Sequence, residues 1–559
     1  MFSPAWTRFA VSLSPRRPGN ISPRAFWLEC GLLDRLIHMS DQISPESPHE
    51  ESLWLATTPT TEYGPLEDGL DVDVAVLGGG ITGLTAAINL TEAGRTVAVL
   101  EADRIVESTT GHTTAKLTAQ HGLIYDRLVS RFGEERARQY ARANEAAIDE
   151  VRRRAENGAI DCDFHRTQAY VYTDSSADRA KIRDEAAAAR RVDLPASYVE
   201  DTPLPFDVDG AIRFDDQAEF HPRKYLLRIA EEIHGDGSYI FEETRALDVD
   251  PGSPCHVETD RGDVIADDVV VATHFPVLDR AGYFARMHPH RAYLLAARVA
   301  ETPLEGMYYS TGSPPATMRT YSHTTAAGGD SGTGELLLVG GQGHKPGFDG
   351  PPTSERYRRC EAFAREHFTV ESVEYRWSTM DYSPVDRVPF VGQIDPLADH
   401  VYVGTGFGGW GMTGGTAAGM ILSDLITEGS SPWADVFDPQ RLTPGASAKD
   451  FLVENAKVGG SFVGDRIKSL LATLESGCGD GLQPGDANVV RRGTQPVGLY
   501  RDEGGATHAV SATCPHMGCL VRWNDAERTW DCPCHGSRFS YDGDVLSGPA
   551  LEGLLYREL

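Results

Sequence analysis

The sequence predicts an α/β domain built on a parallel sheet, with an antiparallel sheet inserted into it and a separate small all-β domain at the C-terminus. Three observations predict it: a glycine-punctuated strand, turn and helix over residues 71–101, a change to short β runs between about 161 and 330, and four cysteines crowded between Cys514 and Cys534. With 559 residues the chain is too long for one ordinary domain, and about three units are expected.

Residues 1–70 read as a poorly ordered extension. The first 38 carry five Arg against two acids, whereas the rest of the chain is strongly acidic, so Met39 is a candidate for the true start. Arg16-Arg17 lacks the apolar core that a twin-arginine signal requires. Residues 40–70, rich in Ser, Pro, Glu and Thr, read as a mobile lead-in.

The unit that follows, within a domain spanning 71–426, carries the strongest signal. Val72 to Leu77, with Asp73 the one polar member, is too short for a helix and is bounded by glycine, as a buried strand is. Gly78, Gly80 and Gly83 supply the G-x-G-x-x-G spacing: a tight turn, a backbone able to approach a pyrophosphate, and a close helix contact. A helix is expected from about Thr82 to Ala93, stopped by Gly94, and its N-terminal amides favour a phosphate. Val97 to Leu100 reads as the second strand. Glu101, 18 residues after Gly83, stands where an acidic group takes both ribose hydroxyls.

Further along, Glu107 to Gln120 is a polar, threonine-rich loop placed to close over a cofactor. Glu134 to Glu156 has helical apolar spacing and ends at Gly158; Arg152 to Arg154 read as a solvated face in its last turn. The runs Ala169–Thr173, Ala211–Phe214, Tyr239–Glu242 and Arg291–Val299 are assigned to the inserted sheet, which occupies most of 161–330. His256–Thr259 and Val264–Ala272 flank a hairpin turn, and the second arm is expected to rejoin the first sheet. Glu335–Val339 and Val401–Val403 are two more buried runs, and the latter opens a glycine loop, Gly404 to Gly415, before an apolar helix to Ile426. Residues 427–481 read as a linker with one helix at about Ala448–Leu474, and 482–559 as the small β domain.

The charge excludes some partners. There are 82 Asp and Glu against 52 Lys and Arg, a net of −30, and only seven of the bases are Lys. That pattern resembles salt-in halophiles, whose acidic surfaces stay soluble while molar salt screens their self-repulsion; an ordinary acidic cytosolic enzyme is the alternative. Without a basic patch to neutralise phosphates, nucleic acid and anionic membranes are disfavoured partners. No apolar run of about 18 residues appears, so no integral membrane segment is expected.

The chemistry is concentrated at two places. Cys514-Pro-His516-Met-Gly-Cys519 is followed, after a twelve-residue gap, by Cys532-Pro-Cys534-His535-Gly-Ser537. Two thiolates and two imidazoles suit a tetrahedral zinc site, or an iron–sulfur cluster with two Cys on one iron and two His on the other. Cys30, Cys162, Cys255, Cys360 and Cys478 show no ligand spacing and are taken as structural or free thiols.

The paired loops, followed by Gly548-Pro549, resemble Rieske [2Fe-2S] domains of the cytochrome bc type over roughly the last 75 residues. The resemblance implies that Cys514 and Cys532 hold the inner iron, His516 and His535 the outer iron, and that Cys519 and Cys534 form a disulfide between the loops. It also assigns Ser537 as a hydroxyl donor to a bridging sulfur. Phe539 departs from high-potential members, which carry a tyrosine there; one hydrogen bond fewer lowers the potential. Residues 71–426 are similar to the glycine/D-amino-acid oxidase (DAO) family of FAD enzymes. The similarity rests on the first glycine turn with Glu101, on the loop containing Gly111, His112 and Lys116, and on the glycine loop at 404–415. It implies an FAD-binding Rossmann-like domain with Gly406, Gly408, Gly411 and Met412 beside the flavin ring; NAD is the alternative cofactor. His112 stands where some members attach flavin covalently, the alternative being a loop histidine that hydrogen-bonds cofactor or water.

The combined expectation is a cytoplasmic flavoprotein oxidoreductase that oxidises an amine or amino acid by hydride transfer to FAD. It then passes electrons singly to the tethered cluster and on to an unidentified acceptor. The alternatives are an electron-transfer protein fed by a partner protein, or a redox sensor. As catalytic candidates, Arg291 and Tyr293 sit on an inserted-sheet strand where they could grip a carboxylate; an edge-strand arginine on a solvated face is the other reading. His221-Pro222 and His344-Lys345 are weaker candidates. Mass mapping of the native protein is expected to find its first peptide at Met39, and recovery of residues 1–38 would contradict that start.

Overall fold

The computed structural model describes residues 48–557 apart from 279–280, 302–303, 325–332, 348–349, 442–480 and 494. The expected start at Met39, the Arg16-Arg17 pair, Cys30, Cys478 and the helix at Ala448–Leu474 lie outside the described residues.

A parallel core sheet is ordered Val401–Thr405, Val264–Val271, Leu70–Leu77, Val97–Leu100, Tyr239–Phe241, with Phe390–Gln393 added antiparallel at one edge. Its central strands are apolar on both faces because both are covered: Val74 to Leu77 and Val97 to Leu100 are all buried. The glycine turn follows directly, and the helix Ile81–Glu92 starts one residue before the expected position. A second helix, Gly411–Thr427, lies against it. Glycines permit this contact, because a Cβ at Gly419 would lie 2.6 Å from Thr85 Cβ and one at Gly415 2.8 Å from Ile81 Cγ2. Both helices therefore bring their N-termini to the same edge of the sheet.

The second sheet has nine strands, ordered Val370–Pro384, Met287–Val299, Thr333–His344, Thr317–Thr324, Met307–Ser310, His165–Thr173, Gly210–Glu219, Lys116–Leu117, with Ala196–Val199 alongside Gly210–Glu219. It is assembled from separated stretches rather than one insertion at 161–330. Tyr239–Phe241, assigned from sequence to the inserted sheet, pairs in parallel with Val97–Leu100 instead. Three residues carry no readable period, and buried Ile240 suits either sheet. The arm Val264–Val271 rejoins the parallel sheet as expected.

Two other expectations are corrected. Residues 48–70 are not a loose lead-in: Leu53 and Trp54 have no exposed surface, and Ser52 Oγ donates to the Gly111 carbonyl at 2.5 Å. Glu242 accepts the amide of Tyr63 at 3.1 Å. A single tryptophan in a polar stretch, invisible to a composition count, anchors the segment. Arg154 is likewise not on a solvated face; it is 5% exposed, bonded to Asn89 Oδ1 at 2.7 Å and Glu92 Oε1 at 2.8 Å.

The C-terminal domain consists of a three-stranded sheet, Ala487–Arg492, Gln495–Arg501 and Thr507–Ser511, and a four-stranded one, Arg522–Asn524, Thr529–Asp531, Arg538–Ser540 and Val545–Ser547. Fully buried Trp530 and Phe539 fill its core. Gly498 makes room for the indole, since a Cβ there would lie 2.8 Å from Trp530 Cζ2.

This domain docks on the second sheet through a buried ion cluster. Arg291 has no exposed surface; Nη1 lies 2.8 Å from Glu527 Oε2 and Nη2 3.3 Å from Asp531 Oδ2. Arg538 also pairs with Glu527, and Tyr357 donates to it at 3.3 Å. Burial alone would raise the Glu527 pKa, but the guanidinium groups of Arg538 and Arg291 overrule it and hold the carboxyl at about 2. A carboxyl depressed below its unfolded value of about 4.3 stabilises the fold above that pH, and the contribution is lost as pH falls towards 2. Replacing Arg291 by Met leaves buried Asp531 and half-buried Glu527 with Arg538 as their remaining cation, so it is expected to cost about 3 kcal/mol at pH 7, the low end for breaking a buried pair. The deficit should shrink below pH 4; an unchanged urea midpoint at pH 7 would contradict the cluster's role.

Candidate active site and cluster loops

A cavity of about 1570 Å³ opens where the two helix N-termini meet, and residues of both domains line it. It exceeds the ~300–1,000 Å³ of a drug-sized ligand site, leaving room for a dinucleotide and a small substrate together. Gly78, at φ 106°, packs against the neighbouring strand, where a Cβ would stand 2.5 Å from Ala272 O. A Cβ on Gly83 would stand 1.9 Å from Gly78 O, so no side chain fits there. Gly80 sits at the helix N-cap and faces the cavity. The Glu101 carboxylate accepts the amides of Gly79 at 2.7 Å and Asp103 at 3.1 Å. Its burial raises its pKa, and those backbone donors oppose the rise. Across the cavity, Gly406, Gly408 and Gly409 take φ of 79°, 61° and 90°, values that favour glycine, immediately before the helix beginning at Gly411 and Met412.

The threonine-rich loop is pinned over this space. Trp54 Nε1 donates to Thr113 O at 2.7 Å and Trp377 Nε1 to His112 O at 3.0 Å. His112 Nδ1 donates to Ser108 O at 2.9 Å, which leaves Nε2 as the nitrogen without a proton; burial lowers its pKa. Gly111 packs beneath, 2.3 Å from Val106 O to a hypothetical Cβ. Lys116 also lines the cavity, its Nζ donating to Tyr308 O at 2.5 Å. Burial, then Arg319, pulls its pKa well down.

Arg291 and Tyr293 are not a substrate clamp. Their strand lies between two others, not at an edge, and Arg291 is held by Glu527 and Asp531. Buried Tyr293 pairs its hydroxyl with His344 Nε2 at 2.9 Å. A cross-domain partner 236 residues away left no local trace in sequence. His221 caps the helix Pro222–Ile233, accepting the Lys224 amide at 3.2 Å.

Sequence reasoning missed a group on the strand Val370–Pro384. Asp381 Oδ2 accepts the Gly409 amide at 2.6 Å, and Oδ1 lies 3.1 Å from His274 Nε2. Gly408 donates to Tyr382 O at 3.0 Å. No motif marks this strand; only its long alternation of half-buried residues does. Next to Gly409, Trp410 stacks on His121 at 5.1 Å and meets Tyr309 edge-on at 5.3 Å. His121, buried and bonded to Tyr140 and Thr118, is pushed down to about 3 and stays neutral.

The cysteine loops are two copies of one turn. In the first, Gly518 donates to Cys514 O at 2.9 Å and has φ 73°; in the second, Gly536 donates to Cys532 O at 3.0 Å and has φ 78°. Cys519 and Cys534 form a disulfide between them. Their sulfurs lie within 4.8 Å of Cys532, but bridged sulfurs are not thiolate ligands. The free thiols of these loops are therefore Cys514 and Cys532, hydrogen-bonded to each other so that Cys514 is driven towards thiolate. The His516 and His535 rings stand 5.1 Å apart at 89°, and His535 Nδ1 is buried without a hydrogen-bond partner. Two thiols, two imidazoles and an orphaned ring nitrogen fit a two-iron cluster. Phe539 is fully buried and brings no hydroxyl to it.

The cavity and the paired loops define a two-centre oxidoreductase. The model of the FAD dependent oxidoreductase (DAO) family matches residues 73–425, and that of the Rieske [2Fe-2S] domain matches 478–555. The chain belongs to the DAO family and carries a C-terminal Rieske domain; the family binds FAD and the domain binds a [2Fe-2S] cluster. It is 36% identical over 517 residues, 92% of this chain and 98% of the relative, to the Rieske 2Fe-2S iron-sulfur protein YhfW of Bacillus subtilis. It is 24% identical over 395 residues, 68% of this chain and 89% of the relative, to the gamma-glutamylputrescine oxidoreductase of Escherichia coli. Glycine oxidase from Geobacillus kaustophilus shares the fold, with a TM-score of 0.54 and 17% identity over 67% of this chain and 99% of that one. Among the described residues no helix is long and apolar enough to cross a membrane.

The holoprotein is expected to show flavin absorption and, when reduced, a Rieske electron paramagnetic resonance (EPR) signal. Gly83→Ala should lose the flavin while keeping the cluster. Stoichiometric zinc without iron would contradict the ligand set.

Proposed function

We propose that this oxidoreductase oxidises an amine or amino acid at the flavin and passes the electrons one at a time to its own Rieske cluster. The observation that carries this reading is that both cluster histidines face the flavin-binding domain: Phe275 lies 6.4 Å from the His516 ring and Phe284 5.8 Å from the His535 ring. Bound FAD supplies two-electron acceptance. Gly78, Gly80 and Glu101 would hold its nucleotide end, with Gly83 closing the turn beneath them, while Gly408, Gly411 and Met412, set by the turn at Gly406, would present backbone to its ring. His112, with Nε2 unprotonated, would meet it from the pinned loop.

The substrate class is supported by the cavity wall and by the names of two similar proteins, a gamma-glutamylputrescine oxidoreductase and a glycine oxidase. Trp410 and Tyr309 offer aromatic faces to an alkylammonium group. Neutral His121 behind Trp410 adds no opposing charge. The acidic, lysine-poor composition supports a cytoplasm of high salt as the setting. The electrons leave to a one-electron acceptor.

In the full chain, His535→Cys is expected to leave flavin reduction by substrate nearly unchanged while turnover with a one-electron acceptor collapses. Turnover at the wild-type rate with that acceptor would overturn the relay.

A further inference from the structure

One buried residue touches both redox sites at once. Tyr382, 1% exposed, gives its backbone carbonyl to the Gly408 amide of the flavin loop at 3.0 Å. Its hydroxyl lies 2.9 Å from the carbonyl of His535 and 3.1 Å from that of Gly548, so one proton is shared between two acceptors on the cluster domain. Its ring is held by His274 at 4.8 Å and Phe275 at 5.1 Å, and His274 is fixed by the same Asp381 that accepts from Gly409. His274 takes φ 66°, a strained value for a non-glycine residue, in keeping with a position set by its surroundings.

We propose that Tyr382 is the positioning residue that couples the cluster domain to the flavin loop, docking the His535 loop and forming the bonded route between the two centres. The route runs Gly408 N–H, Tyr382 carbonyl, Tyr382 ring and hydroxyl, His535 carbonyl, His535 ring. Electron transfer decays less steeply through covalent and hydrogen bonds than across a gap of the same length. Each passage oxidises the reduced flavin by one electron and reduces the cluster by one. The cluster must hand its electron to the external one-electron acceptor before the second passage. This inference rests on the relay reading above.

The test uses the full holoprotein and needs no identified substrate. The flavin is reduced anaerobically by light with EDTA as donor, and cluster reduction is followed optically and by EPR. Tyr382→Phe keeps the ring and removes only the hydroxyl, leaving the buried His535 carbonyl and the half-buried Gly548 carbonyl without this donor; Tyr382→Leu removes the ring as well. Cluster reduction is expected to slow about tenfold in the Phe variant and further in the Leu variant. Flavin photoreduction and the amplitude of the Rieske signal should be unchanged. Hydrogen–deuterium exchange should rise locally at 532–537 and 547–550. Wild-type cluster-reduction rates in both variants would overturn the proposal. If the wild-type cluster takes no electron from reduced flavin, the relay reading falls instead, and the exchange experiment alone judges Tyr382: unchanged exchange in the Phe variant overturns its docking role.

Discussion

A guanidinium shut away from water holds the two halves of this protein together. Arg291 projects from an inner strand of the second sheet, and among the described residues its charge is answered by Glu527 and Asp531 of the C-terminal domain. A charge desolvated this far is tolerable only when paired, so the domain interface is part of what lets the sheet exist with arginine at its centre. The same constraint explains why Glu527 stays ionised despite burial. The Rieske domain is therefore a wall of the flavin cavity, contributing Arg538 and Gly548 to its lining.

The chemistry is arranged around that fixed interface. Two helices pack through Gly415 and Gly419 and bring their N-termini to one cavity edge, and a loop of left-handed glycines runs between them and the strand Val370–Pro384. That strand faces the flavin loop through the Tyr382 backbone and the Asp381 carboxylate, and the cluster through the Tyr382 hydroxyl. Contact of this kind is preorganised: under the proposed relay no domain search would precede electron transfer.

Local features were legible in the sequence because their physics is local. Gly78, Gly80 and Gly83 are required by distances of a few ångströms to their own neighbours. The paired Cys and His positions were readable because each loop closes on itself through a bond from Gly518 or Gly536. The Cys519–Cys534 bridge followed from family resemblance and is present. What could not be read depended on distant partners. Arg291 and Tyr293 looked like substrate-facing residues until the C-terminal domain supplied their neighbours. Tyr239–Phe241 was too short to declare its sheet, and Trp54 looked incidental until its indole met Thr113. Tyr382 carries no motif, because a backbone carbonyl and one hydroxyl need only a tyrosine in the right place.

The central claim is that the cluster domain occupies one fixed position beside the flavin, and a distance measurement tests it most directly. Pulsed dipolar EPR on partly reduced holoprotein, in which both centres carry an unpaired electron, reads the separation between them. The docked arrangement predicts a single narrow distance distribution that broadens in Arg291→Met. A broad distribution in the wild-type protein, unchanged by that substitution, would contradict it.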